Sequence, residues 1–256
     1  MTYTHQEPST SDYLEQLEFL TKSGSEADTL TLVHGLHYWL VIAIEEQVFR
    51  GQIDRGYGAI GAAEVGSLRT CAEFGSSLLS HAACHSPAAA FSGLRKAVEA
   101  VDSETRDATS ARAIGYALRC TTDALAAKRA MRSEGRGKAP ESTDALRRKV
   151  ALIQALMVGI HHELCRLASL GVNAQQGMGT DEVATVLAVT DATVGMLCVI
   201  RDASFDDDPD DQSLQQELEA YLTSDRMEAG GAKAAWTMEG AFGAVLGAWA
   251  AAPLAA

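Results

Sequence analysis

From residue 146 to residue 167, apolar side chains recur at alternating spacings of four and three, which constrains the fold more than any other feature. They are Leu146, Val150, Ile153, Met157, Ile160, Leu164 and Leu167. This spacing puts all of them on one face of an α-helix. Ser142 is a typical N-cap residue, and Gly171 can end a helix. The segment therefore predicts a long helix with one face in the core.

The composition favours helices elsewhere in the chain as well. Of the 256 residues, 47% are hydrophobic but only 6% are aromatic, and alanine is abundant. Alanine is the best helix former, whereas strands favour β-branched and aromatic side chains. We predict an all-α bundle of about eight helices, which forms a single domain over residues 1–256.

The two halves of the chain resemble each other weakly. A shift of 120 positions aligns Leu32 with Leu152, Leu36 with Leu156 and Gly51 with Gly171. Alanine-rich helices also align by chance, so two explanations stay open, chance and a pseudo-repeat of 26–132 and 142–251 joined by a linker at 133–141. A repeat would make the predicted helix from Asp28 to Arg50 the counterpart of the helix at 146–167. The two helices would then face each other across the centre.

Charge and cysteine usage limit the classes of partner. The formal net charge of -13 repels phosphate backbones and anionic lipid surfaces, so we expect no nucleic-acid partner and no membrane contact. Five cysteines, an odd number without any CxxC pair, indicate reduced thiols and a cytoplasmic location: Cys71, Cys84, Cys120, Cys165 and Cys198.

Both of these predicted helices contain histidines among their apolar residues. His161, His162 and Cys165 lie in one helix, and His34 and His37 lie in the other. Residues four apart are neighbours on a helix, so His161 and Cys165 can address one metal or haem, whereas His162 points about 100° away. The alternative for each histidine is a core residue that is hydrogen-bonded to a neighbouring backbone group.

The histidine-bearing segments resemble the tryptophan 2,3-dioxygenase superfamily. In that family a histidine, eight residues and a glycine precede a glycine-rich loop, as His162, Gly171 and the turn Gly177-Met178-Gly179-Thr180 do here. The segment from Leu32 to Trp39 is similar to the family's distal helix. One branch, the haem-dependent tyrosine hydroxylases, has an HxxxC motif that His161 and Cys165 match.

The resemblance implies a cofactor and a set of site residues. The cofactor would be haem, either b-type or attached through Cys165, with His161 as the preferred axial ligand and His162 as the alternative. Gly177 and Gly179 would line it, and His34 or His37 would be the distal catalytic residue. Candidate substrate-binding residues are Tyr38, Trp39, Arg50, Arg55 and Arg95.

The function that the resemblance implies is hydroxylation of a tyrosine-like aromatic amino acid, with O₂ or H₂O₂ as the oxidant, in a biosynthetic pathway. One alternative is oxidation of a tryptophan or indole ring. A second alternative, from a different class, is a non-catalytic helical protein that binds a small molecule or a partner. We expect a homodimer, and the motif Gly243-x-x-x-Gly247 would allow close helix packing either in the core or between two chains.

Overall fold

A computed structural model describes residues 10–21, 24–54, 58–81, 87–104, 108–136, 141–173, 177–205 and 211–251. Over these residues the chain is helical and contains no strand, which confirms the all-α prediction. The helices are α1 (Thr10–Thr21), α2 (Glu26–Asp54), α3 (Ala62–His81), α4 (Pro87–Glu104), α5 (Ala108–Ser133), α6 (Thr143–Asn173), α7 (Thr180–Asp202), α8 (Asp211–Ala220) and α9 (Asp225–Ala251), with a 3-10 turn at Tyr221–Thr223.

Helices α2, α6 and α7 form the centre of the bundle and contact one another. In α2 almost every residue from Asp28 to Ile44 is buried, because this stretch has no continuous polar face. In α6 the predicted apolar stripe is buried, from Leu146 to Leu167. The predicted N-cap is also correct, since the backbone N–H of Ala145 donates to Ser142 Oγ at 3.1 Å.

The three central helices are also long and apolar enough to cross a membrane, judged by length and composition alone. The segments are Glu26–Asp54, Thr143–Gly171 and Thr180–Asp202. In the first, 78% of the most apolar window is buried inside the fold. The expected absence of membrane contact stays a prediction.

The two histidine-bearing central helices, α2 and α6, have equivalent neighbours. Helices α5 and α7 pack against α2, while α9 and α3 pack against α6. Each central helix therefore contacts one long helix from its own half of the chain and one from the other half. A pseudo-repeat of 26–132 and 142–251 would give this arrangement, and the duplication itself stays a prediction.

One segment boundary differs from that expected. Helix α5 continues to Ser133, so the predicted linker starts later than residue 133, and residues 137–140 lie outside the described ranges.

Helix α9 starts at Asp225 and bends at Gly231, whose φ of 70° and ψ of -170° are not helical. Glycine reaches this backbone conformation without the steric cost that a side chain would add.

Buried ion pairs fix α2 and α6 to their neighbours. Asp28 is buried at the start of α2, where it pairs with Arg129 at 3.1 Å and with Arg132 of α5. The Lys149 side chain of α6 is also buried, and its Nζ donates to Glu141 and to the Arg201 carbonyl oxygen of α7 at 2.8 Å each. A buried charge needs such partners to offset its desolvation.

Candidate functional site

Two buried imidazoles meet where α2 crosses α6. The Nδ1 atom of His37 lies 3.2 Å from Nε2 of His161, and the ring centroids are 5.3 Å apart. Only 2% of His37 and 0% of His161 is exposed. This contact confirms the prediction that the two histidine-bearing helices face each other. One proton lies between the two nitrogens, and either ring can donate it.

The other side of the His161 ring is covered by Gly75 of α3. A Cβ atom built on Gly75 would come within 2.5 Å of three atoms of the ring. Only a glycine allows α3 to approach the imidazole this closely, because any other residue would overlap it. Sequence reasoning missed Gly75, since a glycine within a helix has no local signal for the distant ring that it contacts.

Burial keeps all three histidines of this region neutral at neutral pH. It lowers the pKa of His161 to about 3. Burial also lowers the pKa of His37 well below its usual value, and the nearby His161 and His34 lower it further. The pKa of His34 falls to about 4 because of burial and the positive charges of Arg201 and Lys128, although a contact with the Leu197 backbone opposes the shift.

Two buried ring nitrogens have no hydrogen-bond partner, namely Nδ1 of His161 and Nε2 of His34. Native proteins contain few such atoms, and each one points to a bound group, a water molecule or a functional role. Within the described ranges, however, no three His, Cys, Asp or Glu side chains are arranged to hold a metal ion.

His162 lies away from the imidazole pair, and Cys165 lies one turn along α6 from His161. His162 is exposed on the outer side of α6. Cys165 is half-buried between α6 and α3, where it contacts Ser76, and burial raises the pKa of its thiol. Of the two proposed axial ligands, the structure therefore places only His161 beside a distal histidine.

The glycine turn before α7 contacts the loop before α3. Ile60 and Met178 form an antiparallel bridge, with N–H to oxygen distances of 3.1 and 3.0 Å. Gly177 has a φ of +83°, and a Cβ atom there would overlap the Ile60 carbonyl oxygen. The glycine at 177 is thus explained by chain packing, and Gly179 is the residue before α7.

The described arrangement does not fit a haem between α2 and α6. His37 and His161 are in direct hydrogen-bond contact, and Gly75 covers the His161 ring from α3. A porphyrin on His161 would need α2 or α3 to move away from α6. The haem prediction from the sequence stays a prediction that requires such a movement.

A chain of aromatic rings runs along α2 from His34 towards α5. The His34 and Tyr38 rings are stacked with centroids 5.4 Å apart, and Tyr38 meets Trp39 edge to face at 5.0 Å. Trp39 meets Tyr116 of α5 edge to face at 5.8 Å. Burial raises the pKa of Tyr38, whose hydroxyl also contacts Cys198 of α7. Tyr38 and Trp39, both predicted substrate residues, thereby link the histidines to a groove at α5.

This groove lies between α2, α3 and α5 and has a volume of about 500 Å³, which is in the usual range for small-molecule sites. Its walls combine small side chains with charged groups and one aromatic ring. The lining residues are Ala43, Glu46, Gln47, Arg50, Gly51, Asp54, Ala63, Glu64, Thr109, Arg112, Ala113 and Tyr116.

The structure distinguishes the three arginines that the sequence offered as substrate-binding residues. Arg50 lines the groove and is paired with Glu46. Arg95 lies on α4, pairs with Glu18 of α1 at 2.5 Å and does not line the groove. Arg55 lies outside the described residues.

Comparisons with known protein families, characterised proteins and solved structures find no match to this chain.

The groove also contains residues that sequence reasoning missed. Arg112 and Tyr116 come from α5, and Asp54 ends α2. Arg112 and Tyr116 are four residues apart and share a helix face, which is the signal that could have selected them. Their partners on α2 lie about 60 residues earlier in the chain, so only the fold brings the set together.

Proposed function

We propose that the protein binds a small aromatic zwitterion, of the aromatic amino acid type, in the groove between α2, α3 and α5. The observation that carries the proposal is the set of groups on the groove walls. Arg50 and Arg112 can bind a carboxylate, while Glu46, Asp54 and Glu64 can bind an ammonium group.

Arg112 is the cation that best suits a ligand carboxylate. Arg50 is already paired with Glu46, whereas no described carboxylate lies within ion-pair distance of Arg112. A guanidinium can bind a carboxylate through two parallel hydrogen bonds. Asp54 likewise has no ion-pair partner among the described side chains and can bind the ligand's ammonium group.

Tyr116 supplies an apolar wall for the ligand's ring. Its ring contacts Trp39 edge to face, with the ring centroids 5.8 Å apart, and the guanidinium of Arg119 lies 5.5 Å from its centroid. Burial raises the pKa of Tyr116, with a further contribution from its contact with Cys120. The phenol therefore stays uncharged at neutral pH, and an aromatic ligand can stack on it.

Replacing Arg112 by glutamine is expected to weaken binding of L-tyrosine by about tenfold or more, because a charged hydrogen-bonded partner contributes about 1.5–3 kcal/mol. Isothermal titration calorimetry measures the dissociation constant. Arg69→Gln is the matched control, because Arg69 lies on α3 outside the groove and pairs with Glu73 at 2.7 Å.

Ligand analogues distinguish binding of the carboxylate at Arg112 from binding of the ammonium group at Asp54. Tyramine, which lacks the carboxylate, is expected to bind the native protein more weakly than L-tyrosine does. Its dissociation constant is expected to be unchanged by Arg112→Gln. For 3-(4-hydroxyphenyl)propionate, the tyrosine analogue without the amino group, the dissociation constant is expected to be unchanged by Asp54→Asn. L-Tryptophan tests the indole alternative in the same assay. Absence of binding for all of these ligands, or equal losses in Arg69→Gln and Arg112→Gln, would contradict the proposal.

Haem-dependent hydroxylation of the same ligand is a second proposal. It is supported by the two buried ring nitrogens without partners, Nδ1 of His161 and Nε2 of His34, because neutral imidazole nitrogens are haem ligands and proton acceptors. Haem bound at His161, once α2 or α3 has moved away from α6, would supply the oxidising chemistry. Cys165 lies one turn farther along α6, as the resemblance requires.

An absorbance spectrum tests the haem proposal independently of the groove. Protein expressed with added haem is expected to show a Soret band that His161→Ala removes and His162→Ala, at an exposed position, leaves unchanged. Pigment that stays with the denatured chain in the native protein, but not in Cys165→Ala, would indicate a thioether. A spectrum without a Soret band after haem addition would exclude haem and leave the binding proposal intact.

A further inference from the structure

Basic side chains from three helices lie at the end of the bundle where α2 begins and where α5 and α7 end. Lys128 of α5 donates from Nζ to Thr31 Oγ1 of α2 at 3.1 Å, and Arg201 belongs to the last turn of α7. His34 follows Thr31 by about one turn of α2. The positive charges of Arg201 and Lys128 both act on the His34 ring. We call His34, Lys128 and Arg201 the basic cluster.

The ammonium group of Lys128 is partly buried among other cations. Burial lowers its pKa, and the positive charges of Arg132, Arg201 and Lys149 lower this pKa further. Glu141 opposes the shift, but its carboxylate is paired with Lys149 at 2.8 Å. Lys128 itself forms no ion pair within the described part of the chain. A bound anion would offset the cost of holding this ammonium group beside like charges.

His34 contributes a buried nitrogen atom that has no hydrogen-bond partner. This residue is 7% exposed, and its ring stacks on Tyr38, one turn farther along α2. The Leu197 backbone of α7 accepts a hydrogen bond from the ring, and because Nε2 has no partner, the donor is Nδ1–H. Nε2 of the neutral ring is therefore an acceptor. Side chains on a helix lean towards its N-terminus, so the ring leans towards Thr31 and the ammonium group of Lys128.

Arg201 can exchange its present partner for a ligand. Its guanidinium pairs with Asp202, the next residue, whose side chain is 66% exposed. Exposed ion pairs contribute little to stability, so a ligand can compete for the guanidinium. The negative charge of Asp202 also acts on His34 and opposes an anion there, but the two positive charges of Arg201 and Lys128 exceed it.

Inorganic phosphate matches the chemistry of the basic cluster. Its anionic oxygens can accept hydrogen bonds from the ammonium group of Lys128 and the guanidinium of Arg201. At neutral pH it also keeps a P–OH group, which can donate to Nε2 of His34. A carboxylate or a sulfate has no such proton at this pH, and its oxygen would face the lone pair of Nε2. The cluster therefore favours phosphate over these other anions.

We propose that His34, Lys128 and Arg201 form a binding site for inorganic phosphate. The site lies between α2, α5 and α7, whereas the groove for the aromatic ligand lies farther along α2, between α2, α3 and α5. Phosphate binding does not depend on that groove. The net charge of -13 repels a polyanion such as nucleic acid, but a single phosphate ion needs only the local positive charge of the cluster.

Isothermal titration calorimetry of the full chain with sodium phosphate at pH 7 tests this site. The native protein is expected to bind phosphate with a dissociation constant of about 1 mM or less, and sulfate at least about tenfold more weakly. Lys128→Gln is expected to raise the dissociation constant for phosphate by about tenfold or more, because it removes a charged hydrogen-bond donor. Lys233→Gln is the matched control and is expected to bind like the native protein, since Lys233 is an exposed lysine of α9 that pairs with Glu182 at 3.7 Å.

His34→Leu tests the role of Nε2 separately. This variant is expected to bind phosphate more weakly and sulfate as before, so that the preference between the two anions disappears, and circular dichroism checks that each variant is folded. The proposal would be overturned by a native protein that does not bind phosphate or binds sulfate equally well. Equal losses in Lys128→Gln and Lys233→Gln, or a folded His34→Leu variant that keeps the native preference, would also overturn it.

The chain itself contains a competing source of negative charge. Asp206, Asp207 and Asp208 follow α7 in the sequence and lie outside the described residues. The triple variant Asp206→Asn/Asp207→Asn/Asp208→Asn is expected to bind phosphate with about the affinity of the native protein. Phosphate binding that appears only in this variant would overturn the proposal, because the aspartates would then be the anions that the basic cluster binds.

Discussion

Acidification below pH 6.5 is expected to destabilise this protein steeply, above the pH range in which carboxylates usually cause acid unfolding. The cause is the group of buried neutral histidines. Burial holds the pKa of His161 at about 3 and that of His34 at about 4, and it lowers the pKa of His37 well below 6.5. In the unfolded chain each of them titrates near 6.5.

The direction in which pH changes the free energy of unfolding depends on whether the folded or the unfolded chain binds protons at the higher pH. Below pH 6.5 the unfolded chain takes up protons at these three histidines while the folded chain does not, so the free energy of unfolding falls as the pH falls. Each histidine contributes about 1.4 kcal/mol per pH unit until its folded pKa is reached, or about 4 kcal/mol per unit for the three together. Most domains are stable by only about 5–15 kcal/mol, so two pH units below 6.5 remove about half of this stability or more. Above pH 6.5 this contribution to stability is fully present.

Urea unfolding at several pH values between 7 and 4.5 measures this slope. The double variant His37→Leu/His161→Leu is expected to lose about two thirds of it, because replacing both partners of a buried pair by apolar groups leaves neither one unsatisfied. His162→Gln is the control, since this exposed neighbour of His161 is expected to leave the slope unchanged. A double variant with the native slope would contradict the assignment to the buried pair.

Carboxylates give a second, separable loss of stability at lower pH. Burial raises the pKa of Asp28, but the Ser25 backbone N–H and Arg132 outweigh it and hold the pKa below its usual 3.8. A group with a lowered carboxyl pKa contributes stability above its unfolded value and loses it below. The contribution of Asp28 therefore disappears only below pH 3.8, at the lower end of the histidine range and below the pH values of the urea experiment.

The sequence was sufficient to predict an all-α bundle, whereas the facing of α2 and α6 was expected only if the two halves are a repeat. Periodicity marks the buried stripe of α6, and a helix without a polar face, such as α2, has to be central. His161 shares the buried side of α6 with Met157 and Leu164, whereas His162 lies about 100° away in solvent. Helical angles alone therefore distinguish the buried histidine from the exposed one.

Contacts between distant helices could not be predicted in the same way. Nothing near Gly75 in the sequence shows that the His161 ring lies against it, because the contact depends on how α3 crosses α6. The sequence left Arg50, Arg55 and Arg95 as alternatives for the same reason. Arg95 is engaged by Glu18 of α1, a partner 77 positions away, while Arg112 joins the groove only through the packing of α5 on α2.

Gly75→Ala is expected to destabilise the protein by about 3 kcal/mol or more, at the upper end of the cost of overpacking a core. The new methyl group would come within 2.5 Å of three atoms of the His161 ring. That ring cannot move away easily, because it is buried and its Nε2 is held by His37 at 3.2 Å. The same change at Gly66 of α3, where a Cβ atom meets open space, is expected to stabilise by up to about 1 kcal/mol through helix propensity.

A double-mutant cycle identifies His161 as the cause of this loss. His161→Ala removes the ring and leaves space beside Gly75, so Gly75→Ala in that background is expected to cost about 1 kcal/mol or less, or even to stabilise the helix. Urea unfolding of the four proteins at pH 7.5, where the histidines contribute fully, gives the coupling energy. Equal costs of Gly75→Ala in both backgrounds would mean that the methyl group meets some other part of α6. A coupling energy of about 2 kcal/mol or more in magnitude would show that the His161 ring sets the distance between α3 and α6, and any ligand that enters at His161 would first have to displace that contact.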